Sequence, residues 1–346
     1  MAGGKTYKYY CRSLVLDADL ETIYVATYDY TGDGTYGHVW VTREAQAAKP
    51  DWTSTDLSSA GTGGHVAIGL TVLRDDATPS NQYVLAGVEA SGMYLMKNGA
   101  AWTRVSSIVG TAKQYTEFMP FASLYGSTYS QYVYALDRGS GVYRGSDYGQ
   151  TWTSAPIYAC DTNSDSRTGF LALNPAVDDE LWVSDLSGLF KIGGASTFDN
   201  GAPTPVSLPD KMLPGAVAFA ADGTVYCLGL GSASHPDTVL FRSVNGGADW
   251  ADVGGPGPGI AANASQPGNM VIAPNGLIYI GSGGDIVAYG NPAAGWQPQG
   301  GDLHTGTGGH TSAASQVVSA TAPVTATGQI TAGDWLMLVV ALQTGP

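Results

Sequence analysis

An all-β propeller is the fold this sequence predicts, and three observations carry it. Tryptophans recur at a period near 50 residues, short apolar strands repeat in the same rhythm, and helical patterning is absent. Across 346 residues the chain has Gly 48, Tyr 20 and Trp 8 but only 13% charged residues. A helical chain would carry more Glu, Lys and Leu in amphipathic stripes. The length is large for one ordinary core, yet a propeller grows by adding blades around an axis.

The period comes first. Trp52, Trp102, Trp152, Trp250 and Trp296 stand 50, 50, 98 and 46 residues apart, and Phe198 fills the double gap. A repeat of about 40 to 50 residues implies one four-stranded blade per unit, so six units follow. Within each unit the inner strand is expected near Leu14, Thr71, Ala122, Ala172, Ala218 and Val271, where small residues suit a crowded centre. Second strands are expected at residues 23–27, 83–86, 132–135, 181–184, 225–228 and 278–281. Third strands centre on Trp40, Tyr94, Tyr143, Phe190, Phe241 and Val287. Several of these runs are too uniformly apolar for one wet face, which fits blades stacked face to face. Gly, Asp, Asn, Ser and Pro punctuate them, and Asp222-Gly223 and Asn275-Gly276 are two-residue hairpin signals.

Residues 302–346 span close to one further period but offer only three strand-like runs. The N-terminal segment Thr6-Tyr7-Lys8-Tyr9-Tyr10 supplies a fourth, outermost strand. Joining both chain ends in one blade removes the exposed edges of an open ring. The preferred reading is therefore a single propeller over residues 1–346 with seven blades, six clear repeats and a degenerate closing blade. The alternative is six blades with a separate C-terminal β appendage. The run at 335–342 is apolar on both faces and must be buried, either inside that blade or by self-association.

Charge and composition exclude several classes. The formal charge is −14, from 29 acids against 15 bases, so a phosphate backbone would be repelled and nucleic acid is not a partner. Residues 335–342 fall far short of the roughly 20 that span a bilayer, so no membrane span is expected, and no basic-then-apolar leader opens the chain. Cys11, Cys160 and Cys227 cannot all pair and lack metal-ligand spacing, as do His304 and His310 in a Gly/Thr-rich stretch. Buried, reduced cysteine is the expected state. No metal and no cofactor is assigned.

Two segments carry a family resemblance. Gly145-Ser146-Asp147-Tyr148-Gly149-Gln150-Thr151-Trp152 and Ser243-Val244-Asn245-Gly246-Gly247-Ala248-Asp249-Trp250 resemble the Asp-box, or bacterial neuraminidase repeat, Ser-x-Asp-x-Gly-x-Thr-Trp. The first matches at Asp147, Gly149, Thr151 and Trp152. The second keeps Ser243, Gly247 and Trp250, with Asn245 in place of the Asp. A degenerate third copy keeps Gly99 and Trp102. The physical logic is a tight turn between third and fourth strands: the Asp side chain accepts backbone N–H groups, Gly takes a left-handed conformation, and Trp packs beneath. The resemblance, to sialidase, xyloglucanase and sortilin-type propellers, implies that Asp147, Gly149, Trp152, Asn245, Gly247 and Trp250 are structural. A sialidase would also need three arginines on the substrate carboxylate. Its usual Arg-Ile-Pro opening is Arg12-Ser13-Leu14 here, and Arg167 and Arg242 lack a matching context.

Candidate ligand residues come from the connections between second and third strands. These hold Asp29 and Asp33, Glu89, Asp137, Asp185, Asp237 and Asp285, so each repeat brings at least one acid and a ring of carboxylates is expected. Asp is also what turns need, since it bonds its own backbone two residues on. Read chemically, Asp29, Asp137 and Asp185 are candidate catalytic acids, because glycoside hydrolysis uses two carboxyl groups about 5 Å or about 6.5–9.5 Å apart. Tyr28, Tyr30, Asp33 and Tyr36 form a Tyr/Asp-rich loop suited to stacking on a sugar ring. The expected function is a glycan-directed extracellular propeller, with glycoside hydrolysis of a neutral polysaccharide through paired loop carboxylates as its chemistry. The alternative is a non-catalytic structural or adhesion protein of a virion or cell surface.

Overall fold

The computed structural model describes residues 9–17, 19, 21–30, 35–47, 49–55, 57–60, 67–75, 77–88, 91–106, 131–137, 140–160, 170–230, 239–253, 267–272, 278–282 and 285–289. They form six antiparallel sheets in chain order. The first contains β1 (Tyr9–Leu16), β2 (Ile23–Tyr30), β3 (Thr35–Thr42) and β4 (Thr53–Ser54). The second contains β5 (Ala67–Arg74), β6 (Gln82–Val88), β7 (Gly92–Lys97) and β8 (Thr103–Ser106). In the third, β9 (Val133–Asp137), β10 (Gly141–Ser146) and β11 (Thr151–Trp152) are described. The fourth has β12 (Phe170–Leu173), β13 (Glu180–Asp185), β14 (Gly188–Gly193) and β15 (Thr204–Val206). The fifth has β16 (Leu213–Phe219), β17 (Val225–Leu230), β18 (Val239–Ser243) and β19 (Ala251–Asp252). The sixth shows β20 (Pro267–Ile272), β21 (Ile278–Ser282) and β22 (Asp285–Tyr289).

Every sheet is a meander, so strands adjacent in the chain are adjacent in space. The core lies between sheets. Tyr24 and Val39 pack with Val84 and Trp102 across the first boundary. Leu85 and Leu95 meet Val133 and Trp152 across the second. Leu136 and Val142 meet Leu181 and Ile192, Trp182 meets Cys227 and Phe241, and Leu228 meets Ile278 and Ile280 across the next three. Because both faces of a middle strand are covered, all seven residues of β6 are buried, which explains the uniformly apolar runs. Four-stranded meanders stacked one on the next form a β-propeller. No α-helix occurs among the described residues, and none is long and apolar enough to cross a membrane.

Five of the six expected inner-strand positions fall in β1, β5, β12, β16 and β20; Ala122 lies outside the described residues. Trp52, Trp102 and Trp250 immediately precede the fourth strands β4, β8 and β19, and Trp152 lies in β11, so these four are equivalent. Phe198 is not. It sits six residues before β15, in a turn closed by its N–H to the Gly194 carbonyl at 2.8 Å. Trp296, Asn275-Gly276 and residues 302–346 lie outside the described residues. Tyr9 and Tyr10, expected in an outermost strand, instead extend the inner strand β1 and pair with Asp29 and Tyr28. The ladder to β2 offers their backbone groups partners along its full length, with one irregularity between Cys11 and Ser13.

Candidate functional site between the third and fourth blades

A meander sorts its connections by end. Hairpins between first and second strands and turns between third and fourth strands share one end of each blade; the second-to-third connections lie at the other. The two Asp-box-like segments are third-to-fourth turns. In the second copy the side chains build the turn: Ser243 Oγ accepts the Gly247 N–H at 2.8 Å, and Asn245 Oδ1 accepts the Asp249 N–H at 2.9 Å. In the first copy the expectation fails. Among the described residues no N–H reaches the exposed Asp147 carboxylate; Asp147 and Tyr148 instead take left-handed backbones, φ 51° and 57°. Tyr148 recovers that cost by stacking on Tyr83, centroids 4.8 Å apart, and donating to Asp75 Oδ1 at 3.3 Å.

What the copies share is the glycine. Gly149 and Gly247 have φ of 81° and 82°, and each lies against the second strand of the preceding blade. A Cβ on Gly149 would come within 2.5 Å of Leu85, and one on Gly247 within 2.8 Å of Trp182. Trp152 donates to the Gly149 carbonyl at 2.8 Å, while Trp250 packs edge-on against Trp182. Both turns thus contact the preceding blade.

At the opposite end, register decides which acids are equivalent. Asp137 and Asp185 each close a second strand and face the glycine that opens the third: Asp137 pairs with Gly141, Asp185 with Gly188. The same position is Val88 in the second blade and Ser282 in the sixth. At this register position, among the described residues, acids stand in the adjacent blades three and four, while in the sixth blade Asp285 stands across from it, at the start of β22. Asp29 pairs in mid-ladder with Tyr9 and Tyr36, not at a strand end. Tyr28, Tyr30 and Tyr36, read as loop, are strand residues of β2 and β3, because the hairpin ladder runs on to Tyr30 opposite Thr35. Asp33, Glu89 and Asp237 lie outside the described residues.

Asp137 and Asp185 are 2% and 0% exposed. Asp185 Oδ1 accepts the Ser187 and Gly188 N–H groups at 2.8 and 3.1 Å, a turn held by its own side chain. Its Oδ2 accepts the Tyr158 hydroxyl at 2.9 Å. Ser140 Oγ donates to Asp137 Oδ2 at 2.5 Å and lies 3.0 Å from the Tyr143 hydroxyl. A similar Ser–Tyr pair, Ser91 and Tyr94 at 2.7 Å, occupies this corner of the second blade. The fourth blade has Phe190 where blades two and three have tyrosine, and Tyr158 from the third blade brings the hydroxyl instead.

Tyr158 reaches across because its segment lies directly over the start of β10. The Val142 N–H donates to the Tyr158 carbonyl at 2.8 Å, and a Cβ on Gly141, φ 139°, would meet that oxygen at 2.1 Å. Only glycine fits there. Two residues on, Cys160 lies near both acids. Burial first, then the Asp185 and Asp137 charges, push its thiol well above the ordinary range. Cys227 is buried in the core, its thiol also pushed up by burial. Among the described residues no three of His, Cys, Asp and Glu converge as a metal site.

Sequence reasoning missed Tyr158 as a partner of Asp185. It also missed a buried network at the other blade end, where Arg74 contacts Asp17 through Nε at 3.0 Å and Nη2 at 2.5 Å, and Asp19 at 3.2 Å. Gln82 joins them, donating to Asp17 and accepting the Tyr24 hydroxyl at 2.8 Å. These partners are 57 and 58 residues apart, and no local pattern marks them.

No family model matches the chain. Among curated proteins it is similar to a xyloglucanase from a Paenibacillus species, 24% identical in an alignment 277 positions long that covers 68% of this chain and 25% of that protein. The chain thus spans about a quarter of that relative's length. Solved structures with a similar chain path include YCF48 from Cyanidioschyzon merolae, 13% identical with TM-score 0.46, covering 81% of this chain and 98% of that one. A calcium-binding regucalcin from Agrobacterium tumefaciens is 11% identical with TM-score 0.45, covering 80% and 83%. Likenesses at that level carry no argument about ligands.

Proposed function

We propose that this chain is a glycan-directed propeller of the Asp-box type, working outside the cell on a neutral polysaccharide. The observation that carries this reading is the similarity to a xyloglucanase over 68% of this chain. The net charge of −14 agrees with a neutral partner better than with an anionic one. The working face is the end bearing the second-to-third connections. There Tyr28, Asp29, Tyr30, Asp33 and Tyr36 of the first hairpin are proposed ligand contacts. For hydrolysis, Asp137 and Asp185 are the proposed pair, but a general acid must touch the glycosidic oxygen. Carboxylates that are 2% and 0% exposed and bonded to turn donors suit positioning, so retention of the glycan without cleavage is the outcome favoured by their burial.

The test is a panel of soluble neutral and acidic polysaccharides, scored for affinity by gel retardation and for new reducing ends. Retention of a neutral glycan supports the reading, and new reducing ends that vanish in Asp185→Asn would assign hydrolysis. No retention and no cleavage across the panel would leave the adhesion role, with self-association through residues 335–342, as the better proposal.

A further inference from the structure

The boundary between blades three and four carries an aromatic pair that the sequence did not single out. Tyr158 and Phe190 are both partly exposed, with ring centroids 5.7 Å apart and planes inclined by 51°. They come from different blades, one from the segment after β11 and the other from β14. Tyr158 packs with one part of its ring against the core between these blades and leaves the rest exposed. Tyr158 is fixed at both ends, its carbonyl by the Val142 N–H and its hydroxyl by Asp185. Gly188, φ 147°, stands beside the Phe190 ring edge, where a Cβ would make ordinary contact with Cζ at 3.7 Å. The fourth blade has given up the tyrosine hydroxyl found in blades two and three, and with it the internal Ser–Tyr pair that ties that ring down.

We infer that Tyr158 and Phe190 form a stacking platform for a sugar ring, and that Asp185 is a positioning residue that sets the angle of the Tyr158 ring. This rests on the glycan-directed reading above. A pyranose presents a face of C–H bonds that an aromatic ring can cover, and rings held in place before binding lose little entropy on doing so. Two inclined, partly exposed rings bridged between blades suit one sugar unit of an extended chain. A carboxylate buried within the protein orients the Tyr158 ring without opposing a neutral ligand.

Soluble xyloglucan is the probe, titrated into the full chain by calorimetry, with melting temperatures taken for each variant. Tyr158→Leu, which keeps apolar bulk, and Phe190→Leu are each expected to weaken binding about tenfold at nearly unchanged melting temperature. Tyr158→Phe keeps the ring but loses its tether, so a smaller loss, about threefold, is expected, and Asp185→Asn should match it. Folded leucine variants that bind xyloglucan within twofold of the wild type would overturn the platform while leaving the glycan reading intact. Should a leucine variant fail to fold, Tyr158→Trp replaces it: a larger face should hold or raise affinity, and a tenfold loss would count against stacking. If the wild type retains no polysaccharide in the panel, the glycan reading itself fails and the platform with it.

Discussion

The two ends of the blades solve different problems with the same residue types. At the end bearing the third-to-fourth turns, polar side chains knit one blade to the next: Arg74 to Asp17, Tyr148 to Asp75, and Tyr134 to Asp179 at 3.4 Å. Glycines there let a turn lie against the preceding blade. At the other end, Asp137 and Asp185 hold short connections of their own blades, and one of them reaches across to orient Tyr158. An acid at the first end mainly secures the ring of blades. An acid at the second shapes a surface. The lesson is that Asp in a propeller is read by the end it occupies, not by its presence.

The largest effect should come from the first end. Arg74→Ala would leave Asp17, whose side chain has no exposed surface, without its charged partner, and denaturant unfolding should show a loss of about 3 kcal/mol. A loss below about 1 kcal/mol would mean that the remaining partners of Asp17 suffice and that Arg74 is not what joins blades one and two.

Gly247→Ala should cost about 2–3 kcal/mol, because the methyl meets the buried Trp182 ring at 2.8 Å on a left-handed backbone. Its thermal midpoint measures this, and an unchanged midpoint would show that the turn need not touch the preceding blade.

The two turn copies give a finer contrast. Asn245→Ala removes a side chain bonded to Ser243 and Asp249 and should cost about 1–2 kcal/mol. Asp147→Asn, at a side chain that organises no turn, should stay within about 0.5 kcal/mol. Equal losses in both would restore the expectation that the acid builds the turn.

At the second end, Asp185→Asn preserves shape but removes a charge that helps hold the Cys160 thiol up. Alkylation of Cys160 above neutral pH should therefore quicken, modestly, since burial is the first cause of the shift and remains. An unchanged rate would separate Cys160 from the acids.

The smallest effect concerns a hairpin at the first end. The Thr224 N–H at 2.9 Å, helped by the Thr224 hydroxyl, holds the Asp222 carboxyl below its ordinary range. Its folded value is depressed, so its stabilisation is present above the unfolded carboxylate range and is lost as pH falls through the folded value. In a pH series of denaturant unfolding, Asp222→Asn should lower stability slightly at neutral pH, leave strongly acid pH unaffected, and so flatten the acid limb of the profile.

What the sequence determined by itself was the blade. The tryptophan period, the apolar middle strands and the turn residues act over a few positions, so Trp52, Trp102, Trp152 and Trp250 announced four equivalent corners before any contact was known. The same local signals misjudged Tyr28, Tyr30 and Tyr36 as loop, because Gly and Asp mark a turn without saying how far the ladder on either side extends. Only the tertiary structure decided which acids share a corner. Asp137 and Asp185 come from different blades, and the hydroxyl that binds Asp185 lies 27 residues before it. Such meetings depend on how one sheet stacks on the next, and stacking is fixed by side-chain volumes across an interface, which no periodicity along the chain records.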